Sequence, residues 1–197
     1  MCGNWCDSVK KVSKNESLRR FDEAAARSFA SSALQSRFLI TNEVNLVVPV
    51  TGERFRLDML AVCKEHGYLV GFEFKGSSLF PAEFADALRQ AANYREAHIA
   101  DPRLSELEGK RLDCCVVFPD WEGLHDDGTY VYRGHADGMR LLAGHFRVGA
   151  MRLDERSGAS RIILNQSAVW HSVSGWVSGA ENVLRGKRRR GSVKRLD

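Results

Sequence analysis

The stretch RFRLDMLAVCKEHGYLVGFEFK (54–75) decides the fold of this chain. Its first part, RFRLDMLAV (54–62), alternates apolar and polar side chains, and its last part, YLVGFEFK (68–75), is rich in aromatic and β-branched residues. The polar turn KEHG (64–67) separates them, so the pattern predicts two antiparallel strands. With the preceding run EVNLVVPV (43–50), they form a predicted three-stranded meander.

Segments on both sides of the meander predict helices and further strands. Residues 15–36 are alanine-rich with apolar side chains every three to four positions, which predicts a helix, and residues 82–98 repeat this spacing. The run RLDCCVVFP (111–119) predicts a central strand buried on both faces. VGAMRLD (148–154) and RIILNQSAVWHS (161–172) predict a final pair of strands. The order αβββαβ plus later strands indicates an α/β (α+β) fold, with a mixed central sheet flanked by helices.

Composition predicts one globular domain preceded and followed by short segments. The chain has 197 residues, of which 44% are hydrophobic and 27% are charged. We expect an N-terminal segment (1–14), a single domain (15–183) and a basic, disordered tail (184–197). Within the domain, residues 15–119 form the core and residues 120–183 form a β-rich extension.

The sequence also predicts a cytoplasmic location. No run reaches the roughly 18 apolar residues of a membrane span, and the first residues lack the layout of a signal peptide. The five cysteines are odd in number and scattered, which fits reduced thiols. We therefore expect a protein that makes no membrane contact, and one associated with the nucleoid if its source is bacterial or a phage.

Positive charge is concentrated in the tail. The chain carries 29 Lys and Arg against 25 Asp and Glu, for a net charge of +4. Seven basic residues against Asp197 give the tail +6, so the rest of the chain carries −2. Such a tail predicts contact with nucleic-acid phosphates, although a solvated end has the same composition. The expected DNA contacts are Arg185, Lys187, Arg188, Arg189, Arg190, Lys194 and Arg195.

Ionisable residues interrupt the apolar pattern of two neighbouring strands. Alternation places Leu57 and Met59 on one face of their strand and Asp58 on the other. Glu73 and Lys75 both lie opposite the aromatic face of the next strand. Burying such charges costs several kcal/mol unless they are paired or bind a metal. The ordinary alternative is an ion pair between Glu73 and Lys75 on a solvated sheet face.

The second helix adds Gln90 and Tyr94, which lie one turn apart on the same face. The combined pattern resembles the PD-(D/E)XK nuclease superfamily, in its RecB-like and related branches, through Asp58, Glu73, Lys75, Gln90 and Tyr94. The resemblance covers residues 15–119 and implies a restriction-endonuclease-like αβββαβ core. Leu57 stands where the family name has a proline.

The resemblance also implies a divalent-metal site. Its ligands would be Asp58, Glu73 and the backbone carbonyl of Phe74, which are the oxygen donors that Mg²⁺ prefers, and Mn²⁺ could substitute. Lys75 would act as the catalytic base or stabilise negative charge. A further acidic ligand from the first helix is usual in the family. Glu23 is the first choice, while Glu16 and Glu43 stay open.

These expectations point to a magnesium-dependent deoxyribonuclease that hydrolyses DNA phosphodiester bonds. Roles in DNA repair, recombination, restriction or phage DNA processing are all compatible, as is a homodimer or a larger DNA-processing complex. The alternative is a catalytically silent nuclease-fold protein that binds nucleic acid or a protein partner. A third option is an unrelated α/β binding domain, in which the ionisable residues form only surface ion pairs.

Overall fold

The fold is an α+β arrangement built on one mixed, largely antiparallel open sheet. A computed structural model describes residues 22–75, 81–118, 142–153, 160–164 and 167–184. In these ranges nine strands form the sheet, and helices cover both of its faces. None of the described helices is long and apolar enough to cross a membrane. The fold class predicted from the sequence is thus confirmed at this general level.

The elements follow the predicted order αβββαβ, with additions before and after the last strand. The first five are α1 (Glu23–Leu34), β1 (Phe38–Val47), β2 (Arg54–Cys63), β3 (Leu69–Phe74) and α2 (Pro81–Glu96). A short strand and a 3-10 helix come next, and then a central strand: β4 (His98–Ile99), η1 (Pro102–Leu107) and β5 (Cys114–Phe118). The remaining elements are β6 (Val148–Leu153), β7 (Ser160–Leu164), β8 (Ser167–His171), β9 (Gly175–Trp176) and α3 (Ala180–Leu184).

The spatial order of the strands is β4-β1-β2-β3-β5-β6-β7-β8-β9. The predicted meander is confirmed, because β1, β2 and β3 pair antiparallel. At the centre β3, β5 and β6 run parallel, and β6 to β9 are antiparallel again. The described strands of the predicted β-rich extension therefore continue the same sheet.

Two hydrophobic cores pack on opposite faces of the sheet. The α1-side core is built on Ala26, Ala30 and Leu34 of α1, and the α2-side core contains Ala87 and Ala91 of α2. Strand alternation places the two adjacent cysteines of β5 on opposite faces of the sheet. Cys114 packs in the α1-side core and Cys115 in the α2-side core. Both are buried free thiols, and the strand is buried along its whole length, as predicted.

Helix α1 begins where Asp22 caps it. The Asp22 Oδ1 accepts a hydrogen bond from the Ala25 N–H at 2.7 Å, which satisfies one free donor of the first turn. Such a cap contributes about 1 kcal/mol to helix stability. The described part of the predicted helix (15–36) is confirmed, while residues 15–21 lie outside the described ranges.

Three predicted boundaries are wrong. Strand β1 begins at Phe38 rather than at 43, because residues 38–42 pair with the second half of β2 and no Gly or Pro marks the helix end. Helix α2 ends at Glu96. His98 belongs to β4 and pairs with Val47 of β1 instead of extending the helix. The run 161–172 is two antiparallel strands and not one, since Leu164 pairs with Ser167.

The predicted faces of β2 also need correction at Asp58. Leu57 packs in the α2-side core and Met59 in the α1-side core, although simple alternation places both on one face. The neighbouring residue of β1, Glu43, has a left-handed backbone with φ of 54°. Ladder pairs exist on either side of this point, Asn42 with Met59 and Val44 with Leu57. The facing pattern of β2 thus changes at Asp58, opposite this left-handed residue of β1.

Candidate active site

The candidate site lies where β2 and β3 separate. The last ladder pair between these strands at this end is Met59 with Phe72. Beyond it, Asp58 uses its side chain in place of a backbone bond, and its Oδ2 accepts from the Phe74 N–H at 2.8 Å. This bond fixes the Asp58 carboxylate against the end of β3, with 27% of the side chain exposed. The structure therefore brings Asp58 and the Glu73-Phe74 segment together, as the sequence predicts.

Glu73 is a buried carboxylate with one oxygen paired and one oxygen unpartnered. Only 3% of the residue is exposed, and its Oε1 lies 2.6 Å from the Lys75 Nζ. Its Oε2 is buried and has no hydrogen-bond partner among the described residues. Burial raises the pKa of the Glu73 carboxyl above its usual value and the Asp58 charge adds to this, while Lys75 acts in the opposite direction. The second oxygen of this carboxylate is therefore an acceptor position that a proton, a water or a cation would satisfy.

Helix α2 places Tyr94 beside these carboxylates. The Tyr94 hydroxyl donates to the Arg56 carbonyl at 3.3 Å, which ties α2 to β2 two residues before Asp58. Burial raises the pKa of Tyr94 well above its usual range, and the Glu73 charge adds to this, so the phenol keeps its proton. Gln90 is half-buried one turn earlier on the same helix. It shares a helical face with Tyr94 by its spacing, and none of the described contacts involves it.

Sequence reasoning missed Arg27 of α1. Its guanidinium lies 3.8 Å from both the Asp58 Oδ1 and the Glu43 Oε1, and 5.9 Å from the centre of the Phe74 ring. The Arg27 Nε is buried without a hydrogen-bond partner in the described part of the chain.

Neither Glu23 nor Glu43, the two described candidates for a third acidic ligand, makes a described contact with Asp58 or Glu73, although Glu43 lies across the β1–β2 ladder from Asp58 and shares Arg27 with it. Glu23 is exposed in the first turn of α1, where it lines a shallow groove with Arg27. Glu43 contacts Arg56 and Arg27 rather than Asp58. Among the described residues, no group of three or more His, Cys, Asp or Glu side chains is arranged to hold a metal ion. Glu16 and the basic residues of the tail (185–197) lie outside the described ranges.

The donor set nevertheless fits a hard cation. Asp58 and Glu73 offer carboxylate oxygens, Phe74 has a backbone carbonyl beside them in sequence, and Glu73 Oε2 lacks a partner among the described residues. Mg²⁺ commonly binds through one or two carboxylates and keeps several waters for the remaining positions. Two carboxylates and a carbonyl are therefore sufficient without a third acidic side chain.

Comparison with known proteins adds no neighbour to this picture. No protein-family model, no curated protein and no solved structure matches the chain at a significant level. A function for the chain is therefore inferred from its own residues and their geometry.

Proposed function

We propose that this chain is a divalent-metal-dependent nuclease of the PD-(D/E)XK type that hydrolyses DNA phosphodiester bonds. The observation that carries the proposal is the pair of carboxylates on neighbouring strands, Asp58 and Glu73, with a buried Glu73 oxygen that has no partner among the described residues. Asp58, Glu73 and the Phe74 carbonyl would hold Mg²⁺ or Mn²⁺. A cation held there polarises a phosphate oxygen and lowers the pKa of a water bound to it.

The surrounding residues orient the carboxylates and supply positive charge. Lys75 contacts the Glu73 Oε1 at 2.6 Å, which holds its Nζ beside the carboxylate pair, where it would act as the base or stabilise negative charge on the phosphate. Tyr94 fixes the β2 backbone before Asp58 through the Arg56 carbonyl. Arg27 contacts Asp58 from the other side and offers a second cation to an approaching phosphate.

A second candidate function is a catalytically silent nuclease-fold protein that binds DNA or a protein partner. One observation favours it: the two carboxylates already have two cationic neighbours, Lys75 at Glu73 and Arg27 at Asp58. Such a charge-balanced site is stable without a metal. The two candidates differ in whether Mg²⁺ binds to the protein and in whether the protein cleaves DNA.

The first prediction tests cleavage directly. Plasmid DNA and single-stranded DNA are incubated with the protein in Mg²⁺, in Mn²⁺ and in excess chelator. We expect cleavage only with metal, because the nucleophilic water needs a cation at neutral pH. Asp58→Asn, Glu73→Gln and Lys75→Met should each lower the cleavage rate by at least about 100-fold, the range for loss of one group that acts in the transition state.

Matched controls come from exposed residues of the same types. Asp86→Asn and Lys110→Met alter an exposed carboxylate and an exposed ammonium, and should leave the rate unchanged. Cleavage that survives the chelator, or that is equal in all variants, contradicts the proposal. Tight DNA binding without cleavage in any metal supports the silent-fold candidate instead.

A further inference from the structure

The Asp58 carboxylate faces an arginine of α1 as well as the end of β3. Its Oδ2 accepts from the Phe74 N–H at 2.8 Å, and its Oδ1 lies 3.8 Å from the Arg27 NH2. Because the backbone of β3 holds the Oδ2, the Oδ1 is the oxygen through which Asp58 would bind a metal ion. Arg27 and a metal ion would therefore compete for the same oxygen.

Arg27 is held between two carboxylates and is bonded to neither. Its NH1 lies 3.8 Å from the Glu43 Oε1, the same distance that separates its NH2 from the Asp58 Oδ1. Both distances exceed the roughly 2.7–2.9 Å of a charge-assisted hydrogen bond. The guanidinium is thus attracted to both carboxylates by charge alone, and moving it from Asp58 toward Glu43 breaks no hydrogen bond to either.

Arg27 also has room to move, and Glu43 is anchored to receive it. A groove of about 420 Å³ lies beside α1, and its lining includes Arg27 and Asn42, the neighbour of Glu43 in β1. The Glu43 Oε1 accepts from the Arg56 NH2 at 3.2 Å, which holds Glu43 across the β1–β2 ladder from Asp58. Glu43 therefore keeps its place whether or not Arg27 stays at Asp58.

We propose that Arg27 is a built-in counter-ion of Asp58 that regulates metal binding, and that Glu43 is a positioning residue that draws Arg27 away. The inference rests on the proposed function, because it concerns the metal site at Asp58 and Glu73. In the metal-free protein Arg27 balances the Asp58 charge. When Asp58 binds a cation, like-charge repulsion moves Arg27 toward Glu43 and the groove. Glu43 then affects metal affinity through Arg27, without being a ligand.

The test is a double-mutant cycle on Mg²⁺ affinity, measured by calorimetry on the full chain without DNA. Arg27→Gln should bind Mg²⁺ about tenfold more tightly, equal to about 1.4 kcal/mol, because a like charge beside Asp58 is removed. Glu43→Gln should bind Mg²⁺ about threefold more weakly, because Arg27 then stays at Asp58. In the Arg27→Gln background, Glu43→Gln should change the affinity by about twofold or less, since its effect acts through Arg27.

The cycle separates this role of Glu43 from two simpler ones. A direct ligand, or a carboxylate that attracts the metal only by its charge, would lower Mg²⁺ affinity by the same factor in both backgrounds. Equal factors therefore overturn the proposal, as does equal affinity of Arg27→Gln and the unchanged chain. Arg89→Gln and Glu53→Gln are the matched controls at exposed positions, and both should bind Mg²⁺ like the unchanged chain.

Thermal unfolding in chelator gives a readout that needs no metal. Arg27→Gln should lower Tm more in the unchanged chain than in Asp58→Asn, because Asp58 loses its counter-ion only when it is charged. Equal losses in both backgrounds overturn the pairing of Arg27 with Asp58. If no protein of the set binds Mg²⁺, the proposed metal site and its regulation by Arg27 are both wrong. If Mg²⁺ binds and Arg27→Gln has no effect on its affinity, only the regulation by Arg27 is wrong.

Discussion

Glu73 is a buried ionisable residue whose charged form is costly to keep in the folded state. It is the one ionisable position in β3, a strand buried at all six residues. Ionised carboxylates are rarely buried unless they are paired, because desolvation costs several kcal/mol. Lys75 offsets part of this cost at one oxygen, and the Tyr94 hydroxyl also stabilises the charged carboxylate. An ionised Glu73 in this strand therefore lowers the stability of the folded state in the absence of a further partner.

The second prediction follows from the raised pKa of Glu73. A raised pKa means that the neutral acid is favoured in the folded state, so its stabilising contribution is present below about pH 4.5 and is lost as pH rises through the folded pKa. In chelator at pH 7, Glu73→Gln should therefore raise Tm by about 2 to 4 °C, which corresponds to about 1 kcal/mol in a chain of this size. Thermal unfolding between about pH 4 and pH 8 measures it.

Added Mg²⁺ should offset the cost of burying the Glu73 charge and so raise the Tm of the unchanged chain. A bound cation stabilises the folded state by mass action, so the unchanged chain should gain Tm in Mg²⁺ while Glu73→Gln should not. A lower Tm for Glu73→Gln at pH 7 in chelator, or an equal Mg²⁺ effect in both proteins, would contradict this account of Glu73.

Several site residues could be predicted from spacing alone, and others could not. Glu73 and Tyr94 follow from strand alternation and from the helical repeat, which are local properties of the chain, whereas Asp58 is marked only as a charge within an apolar strand, because the facing pattern of β2 changes there. Arg27 does not follow from spacing, because its contact with Asp58 depends on how α1 docks on the sheet. The left-handed backbone of Glu43 was also hidden, since glutamate carries no local preference for that conformation.

At the scale of elements, the irregular middle of β1 is held by side chains of the segment at the start of η1. The Arg103 NH2 donates to the Glu43 carbonyl at 2.7 Å and to the Asn42 carbonyl at 3.2 Å. The Asp101 Oδ2 accepts from the Asn45 N–H at 3.1 Å and from Arg103 at 2.8 Å. Asp101 and Arg103 therefore form a clasp that binds backbone groups on either side of the point where β1 and β2 change their facing pattern.

The third prediction concerns this clasp. Hydrogen bonding to Arg103 holds the pKa of Asp101 well below its usual range, so its stabilising contribution is present above about pH 3.8 and is lost as pH falls through the folded pKa. Asp101→Asn should lower the free energy of unfolding at pH 7 by about 2 kcal/mol, because a buried charged acceptor is removed. Chemical denaturation at pH 7 measures the difference.

The same variant should show a smaller loss of stability than the unchanged chain when pH falls below about 3.8. Asp86→Asn is the control, since Asp86 and Arg89 form an exposed pair on α2 that contributes little. Equal stability of Asp101→Asn and the unchanged chain at pH 7 would show that the clasp does not stabilise β1.

Element types were predictable, and element ends were less so. The alternation of 54–62 and the spacing of 82–98 are strong local signals, and both elements are confirmed. The wrong ends, at Phe38, at Glu96 and within 161–172, all depend on pairing with a partner distant in sequence. Long-range ladders decide such boundaries, and they leave no mark in a local pattern.

For the whole molecule, charge separates into an acidic body and a basic tail. The body carries −2, and residues 184–197 carry +6. Asp58 and Glu73 contribute to the negative charge of the body, which repels a polyanion such as DNA. Positive charge on a separate segment raises the association rate and the affinity for DNA without selecting a sequence.

The fourth prediction is that the tail controls the salt dependence of DNA binding. Deleting residues 185–197 should weaken binding and reduce the slope of log affinity against log salt by about 0.9 for each DNA phosphate that the tail neutralises. Fluorescence anisotropy with labelled DNA in chelator, from about 50 to 200 mM salt, measures this slope. A tail of unchanged length with its seven basic residues replaced by glutamine should have the same effect. An unchanged slope in both proteins would assign the tail no role in binding DNA.

The margins of the sheet bear on how this chain meets other copies of itself. The outermost strands, β4 and β9, have two residues each, too few to serve as templates for strand addition. Beside β4, backbone groups of β1 that would face a newcomer are already occupied by Asp101, Arg103 and the Ala100 N–H. Among the described strands, both margins therefore offer few free backbone groups for the addition of a strand from another copy.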